Sequence, residues 1–183
     1  METGAELHAA VSVDAIEIDA TWWRHIPAGA EVLHKPSLAH DNRWQRAVAV
    51  DAFYLSDSAE TAYAEWYRTL ARLRTPVLEA LPFDLVRFHV VLDRVADLSD
   101  VERLARVGLP APRPGTAGWS AFQTVGEQLH DAGFEGLVAP TDARPDHLLL
   151  CIFRPEASVP GVRPLTPVVR LEAPPLVPIG MST

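Results

Sequence analysis

Cysteine, lysine and long apolar runs are scarce in this 183-residue sequence. The scarcity of cysteine and the lack of long apolar runs each exclude whole classes of protein. The one cysteine, Cys151, allows neither a disulfide within the chain nor a zinc site made of cysteines. No apolar run approaches the roughly 20 residues that cross a bilayer, so we expect no membrane-spanning segment. Residues 1–18 include acidic side chains and lack the basic start and unbroken apolar core of a secretory signal. These features together predict a cytoplasmic protein.

Basic residues are outnumbered, with 16 Lys and Arg against 24 Asp and Glu and a formal net charge of −8. Because nucleic acids attract clustered cations, this balance predicts no direct nucleic-acid binding. Lys35 is the single lysine, and the remaining cations are arginines. The planar guanidinium binds phosphate through paired hydrogen bonds, so the composition does not exclude a small phosphate-bearing ligand. The base composition of the gene would also account for the excess of arginine.

Common catalytic and nucleotide-binding motifs are missing as well. The sequence has no Gly-x-Gly-x-x-Gly loop, no Walker loop, no Gly-x-Ser-x-Gly and no His-Glu-x-x-His. No two of its seven histidines are spaced four residues apart on a predicted helix, so we expect no metal site. Cys151 lies in the apolar segment Leu-Leu-Leu-Cys-Ile-Phe, which predicts a packed core residue rather than a nucleophile.

Hydrophobic periodicity predicts a mixture of strands and helices. Apolar residues at positions 11, 13, 16 and 18 predict a first strand, which continues until Pro27 and Gly29 end it. Further strands are predicted at residues 47–55, 85–95, 136–139 and 148–153. Helices are predicted at residues 56–74 with Asp57 as N-cap, in a short segment ending at Val107, and from Trp119 to a stop at Gly133.

This order of elements predicts a single α+β domain with central strands and flanking helices. The domain is expected to cover residues 1–153. Seven of the last thirty residues are proline, so residues 154–183 are predicted to form an extended tail packed on the same domain, suited to an edge strand.

Several polar residues stand beside aromatic ones near the predicted element ends. They are Arg24 after Trp22-Trp23, Asn42-Arg43-Trp44, Tyr54-Leu55-Ser56, Glu65 and Thr141. Glu65 lies roughly 60° outside the apolar stripe of its helix, where a side chain can line a cleft while the helix packs on a core. Taken singly, each residue also fits a plain structural role, such as a surface cation stacked on tryptophan or a solvated helix charge.

Taken in order, these segments resemble the RES domain family, which is named for an Arg, a Glu and a Ser. The matching segments are Trp23-Arg24, Asn42-Arg43-Trp44, Tyr54-Leu55-Ser56, Thr61-Ala62-Tyr63-Ala64-Glu65, Asp97-Leu98-Ser99-Asp100 and residues 133–141. The resemblance runs from about residue 22 to residue 153. The sequence departs from the family pattern at Asn42, where the family has Gly, and at Thr141, where it has Ser.

The resemblance implies an enzyme that degrades NAD⁺, with a fold similar to ADP-ribosyltransferase toxins. It places Glu65, Arg24 and Thr141 in catalysis and Arg43, Tyr54, His25 and Ser56 in substrate binding. NAD⁺ is then the substrate, and no separate cofactor is implied. Family members are toxins of toxin–antitoxin pairs, so the resemblance also implies an Xre-like helix-turn-helix antitoxin as partner and homodimers within larger complexes.

Three questions stay open at the level of sequence. The acceptor of the ADP-ribosyl group is water, inorganic phosphate or a protein side chain. Thr141 in place of Ser also fits a degenerate RES-like module that binds a nucleotide or a partner without cleaving it. A plain α+β protein with a chance resemblance is the third alternative.

Overall fold

Six strands and three α-helices build the fold in the computed structural model, which describes residues 13–33, 41–154 and 159–182. The strands are β1 (Ala15–Pro27), β2 (Ala52–Ser56), β3 (Phe83–Asp97), β4 (Gly136–Pro140), β5 (Leu148–Phe153) and β6 (Val162–Leu171). The helices are α1 (Ala59–Leu73), α2 (Val101–Arg106) and α3 (Trp119–Asp131), with a 3-10 turn at Val77–Ala80. The predicted α+β class is confirmed. Within these residues, no helix is long and apolar enough to span a membrane.

The strands pair in a ring. β1 pairs with β2, β2 with β5, β5 with β4 and β4 with β3, and β3 returns to β1. The pair β3–β4 is parallel, whereas the other pairs are antiparallel. The 15 residues of β3 make the closure possible, because one edge pairs with β1 while the other pairs first with β6 and then with β4.

Alternation along β4 and β5 divides the core into two clusters. Leu150 and Ile152 face a cluster with Phe53 and Phe88, whereas Cys151 and Phe153 face the cluster beneath α2 and α3. Successive strand residues point to opposite faces, so one apolar strand can supply both clusters. A third and smaller cluster joins α1 to β3, where the rings of Trp66 and Phe83 stack with centroids 4.3 Å apart.

The cap of α1 differs from the prediction, which is wrong at Asp57. Ser58 is the N-cap, and its hydroxyl accepts a hydrogen bond from the Thr61 amide at 3.2 Å. The Asp57 carboxylate instead accepts from the Leu148 amide at 2.9 Å and pairs with His147. Both side chains are favourable cap types, and the pairing of β2 with β5 carries Asp57 toward the start of β5.

Two strands begin later along the chain than the sequence predicts. The strand predicted at residues 47–55 begins only at Ala52, because the chain turns first: the amides of Ala49 and Val50 both donate to the Arg46 carbonyl. The first strand begins at Ala15, and residues 11 and 12 of its predicted range lie outside the described residues. In the tail, residues 162–171 form β6 along β3.

Candidate active site

A cavity of about 600 Å³ opens where β1, β2 and α1 meet the loop that carries residues 42–44. Its volume is in the range of small-molecule sites. Of the residues predicted from the sequence, those that line it are Arg24, His25, Arg43, Tyr54, Ser56 and Glu65. The remaining predicted residue, Thr141, is buried and meets the cavity only through its contact with Glu65.

Backbone pairing brings the first of these residues together. Trp23 pairs with Ser56 where β1 meets β2, so residues 23–25 and 54–56 reach the same edge of the sheet. The loop that carries Arg43 is held from the other side by α3. The Gln123 amide donates to the Asn42 carbonyl at 3.0 Å, and a Cβ at Gly126 would collide with the carbonyl oxygen of Trp44.

Glu65 is held by the residue that follows β4. The Thr141 hydroxyl donates a hydrogen bond to the Glu65 carboxylate and accepts one from the Ala143 amide at 3.1 Å. Burial raises the pKa of Glu65 above its usual value, and the Thr141 hydrogen bond opposes that rise. The nearby Asp142 carboxylate raises this pKa further, whereas Arg68 lowers it. Thr141 therefore favours the ionised form of the Glu65 carboxyl group, whereas burial favours the neutral form.

Arg43 enters the cavity already paired with a carboxylate. Its Nη2 donates to the Asp142 carboxylate and to the Arg113 carbonyl at 2.7 Å, and its guanidinium lies 5.2 Å from the Phe122 ring centroid. Asp142 also binds Arg68, whose Nη2 lies 3.1 Å from Oδ2. Neither Asp142 nor Arg68 was predicted from the sequence as a site residue. A signal was present, since Asp142 follows Thr141 directly and Arg68 stands one helical turn after Glu65.

Arg24 has a different environment. Its guanidinium carbon lies 4.2 Å from the centroid of the Phe53 ring, and its buried Nη1 has no hydrogen-bond partner in the part of the chain that the structure describes. Burial, and then the charge of Arg154, lowers its pKa to about 10, so the side chain stays protonated at neutral pH. Among the residues that the structure describes, no carboxylate forms a salt bridge with it. This unbalanced cation is suited to a bound anion.

Three further lining residues, His25, Tyr54 and Trp119, are aromatic groups that carry no charge at neutral pH. Burial, and then the Arg24 charge, lowers the pKa of His25 to about 4, so its imidazole is neutral. Burial raises the pKa of Tyr54 well above its usual value. Trp119 also lines the cavity, and its buried indole N–H has no hydrogen-bond partner among the described residues. From the sequence, Trp119 was predicted only as a helix residue, and its place in the cavity was not predicted.

The described part of the chain offers neither a cluster of metal ligands nor a reactive thiol. No group of three or more His, Cys, Asp or Glu side chains is placed there to hold a metal ion. Cys151 is fully buried in the core, as predicted, and burial raises the pKa of its thiol to about 12. A thiol with that pKa is no nucleophile at neutral pH.

A family model described as the RES domain matches residues 18–171. This chain belongs to the RES domain family. The resemblance found in the sequence is thereby confirmed over most of the chain. A search of curated proteins finds no match.

One solved structure similar to this RES domain protein is the crystal structure of the M. tuberculosis MbcT–MbcA toxin–antitoxin complex. A chain of that structure aligns over 92% of this chain and 92% of its own length, with a TM-score of 0.78 and 24% sequence identity. At this identity the match establishes a shared fold.

Proposed function

We propose that this RES domain protein cleaves the bond between nicotinamide and ribose in NAD⁺. The observation that carries the proposal is the Glu65 carboxylate, which is fixed by Thr141 in a cavity where Arg24 meets no balancing acid within the described residues. Family membership supports the proposal, since the sequence segments that align with the family bring these side chains to one cavity.

Glu65 suits the transition state of this reaction. When the bond between ribose C1′ and the nicotinamide nitrogen breaks, the electron pair leaves with nicotinamide, which departs as a neutral molecule. No general acid is needed, in contrast to glycosidases that use two carboxyl groups. Positive charge develops on the ribose as an oxocarbenium-like centre, and a fixed carboxylate stabilises that charge. An acceptor oxygen then bonds to C1′, and with water as acceptor one proton is released.

The cationic and aromatic side chains suit the rest of the substrate. Arg24 would bind the pyrophosphate, because its charge meets no carboxylate among the described residues. Tyr54 and Trp119 offer rings against which the flat nicotinamide or adenine groups would stack. His25 and Ser56 would add hydrogen bonds from uncharged groups.

In this proposal Thr141 acts on Glu65 and does not contact the ribose or the amide of the substrate. Its hydroxyl already donates to Glu65 and accepts from the Ala143 amide, so it acts as a positioning residue. Because Thr141 is buried outside the cavity lining, its extra methyl group does not narrow the space for a ligand. This placement favours an active enzyme over a degenerate binding module.

We infer further that the protein is the toxin of a toxin–antitoxin pair. The similar solved structure is described as a toxin–antitoxin complex, and an enzyme that consumes NAD⁺ harms its host unless it is restrained. The partner would be a protein antitoxin that covers the cavity. Its Xre-like type and a homodimeric toxin stay predictions from the family resemblance. Expression of the wild-type chain alone is expected to deplete cellular NAD⁺ and stop growth, and expression of E65Q is expected to do neither.

The direct test follows NAD⁺ loss with purified protein. We expect wild type to consume NAD⁺ and E65Q to be slower by about 100- to 1000-fold, because a fixed group that stabilises transition-state charge is removed. The matched control is E60Q, since Glu60 is an exposed residue on the same helix. Product masses with and without phosphate separate hydrolysis from phosphorolysis, and modified protein would indicate transfer. Equal rates for wild type and E65Q would refute the role of Glu65.

A further inference from the structure

The chain beyond β6 returns to the cavity as a strap without helix or strand, formed by residues 172–182 and named here the C-terminal strap. It first crosses α1, where the Tyr67 hydroxyl donates to the Pro175 carbonyl at 2.5 Å. It then follows the turn between β4 and β5. There Arg144 Nε donates to the Ile179 carbonyl at 3.2 Å, and the Ser182 amide donates to the Ala143 carbonyl at 2.8 Å.

Two features connect the end of the C-terminal strap with the candidate site. Met181 is partly buried and lines the cavity. Its neighbour Ser182 binds the carbonyl of Ala143, whose amide in turn donates to the Thr141 hydroxyl. Thr141 donates to Glu65. A continuous path of main-chain and hydroxyl groups therefore joins the strap to the carboxylate.

We propose that the C-terminal strap completes the substrate site in two ways. The Met181 side chain forms an apolar wall against an uncharged part of the bound dinucleotide, a contact for which a flexible thioether chain is suited. The Ser182 amide fixes the turn that carries Thr141 and thereby orients Glu65. Met181 is thus a specificity-determining residue and Ser182 a positioning residue. The proposal rests on the proposed function, because it takes NAD⁺ as the ligand.

The strap is attached in a way that permits separate tests of these two roles. Its side chains at Leu176, Val177 and Ile179 are exposed, and Ile179 is 93% exposed although it stands only two residues before Met181. Its attachment therefore depends largely on hydrogen bonds and on the buried Pro178. Substitutions at Met181 and Ser182 are expected to leave the core intact.

The wall is tested by comparing M181A with I179A. We expect M181A to raise KM for NAD⁺ about tenfold, the scale of lost apolar contacts in a pocket, with kcat within about twofold of wild type. I179A should leave both constants at their wild-type values. Equal constants for M181A and wild type would overturn the role of Met181. So would equal effects of both variants, since they would indicate a general structural contribution.

The positioning role is tested by comparing S182P with S182A. Proline removes the amide that binds Ala143, whereas alanine keeps it. We expect S182P to lower kcat by roughly two- to tenfold, the scale of one net hydrogen bond, and to accelerate hydrogen exchange at the Ala143 amide. S182A should match wild type in both measurements. Unchanged exchange at Ala143 in S182P would overturn this role.

Failure of the proposed function gives a separate signature. If wild type neither binds nor consumes NAD⁺, the proposed function fails, and with it the Met181 wall. The exchange comparison between S182P and S182A needs no substrate, so it still decides whether the C-terminal strap holds the turn at Thr141. Faster hydrogen exchange at the Ala143 amide in S182P alone would support the positioning role of Ser182. Equal exchange in S182P and S182A would refute that role.

Discussion

Arg24 on β1 and Arg43 on the loop of residues 42–44 bring the same charge to one cavity from two walls, and their surroundings differ. On the β1 wall, the Arg24 guanidinium lies over Phe53, and one of its buried N–H groups has no hydrogen-bond partner in the described structure. On the loop wall, Arg43 is bound by Asp142, which Arg68 also contacts. A buried cation that already has a carboxylate has less to gain from a second anion than one that has none. We therefore expect Arg24 to bind the anion and Arg43 mainly to hold the loop in place.

The largest expected effect separates the two arginines by affinity. We expect R24A to raise KM for NAD⁺ by about 100-fold, because two charge-assisted hydrogen bonds to a phosphate group are lost. R43A should raise KM for NAD⁺ by less than about tenfold, because Arg43 is already paired with Asp142. Steady-state kinetics on both variants, with melting curves to verify folding, makes the comparison. A larger rise in R43A than in R24A would reverse the assignment of the two walls.

A smaller effect separates the same arginines by stability. R43A leaves the Asp142 carboxylate with Arg68 as its remaining partner in the described structure, so we expect a loss of about 1–3 kcal/mol in the free energy of unfolding. R24A removes a buried charge without a salt bridge and should cost less. Urea unfolding of the two variants beside wild type measures both values. A lower free energy of unfolding for R24A than for R43A would contradict this difference between the two arginines.

The smallest effect is a displacement of the pH profile. Glu65 must be ionised to stabilise positive charge, and burial raises its pKa, so activity should fall as pH falls through a value above that of an ordinary glutamate. The Thr141 hydrogen bond lowers this pKa. T141V should therefore move the acid limb of kcat to higher pH, whereas T141S should leave it in place. A limb at the same pH in T141V would show that Thr141 does not act through Glu65.

Much of the fold follows from local pattern. Alternating and continuous apolar segments predicted β3, β4 and β5 because these strands supply both faces of a buried core. The N-cap of α1 was predicted one residue too early, since Asp57 and Ser58 are both good caps and only the contact with β5 decides between them. The ring closure through the long β3 is a property of pairing between distant segments, on which periodicity carries no information.

The candidate site was predictable in its members and not in its charge balance. Resemblance to the family selected Arg24, Arg43 and Glu65, and each lines the cavity. The partner of Arg43 is Asp142, 99 residues further along the chain, so local sequence patterns cannot rank the two arginines. The place of Met181 in the lining depends on the path of the C-terminal strap, which has no regular structure to predict.

The most direct test of the account is a crystal structure of the E65Q variant with NAD⁺, in which slow turnover preserves the substrate. We predict ribose C1′ of the nicotinamide nucleoside beside residue 65 and the pyrophosphate on Arg24, with the Arg43–Asp142 pair intact. A pyrophosphate bound to Arg43 with Asp142 displaced would contradict the division between the two walls. NAD⁺ bound outside this cavity would contradict the proposed site itself.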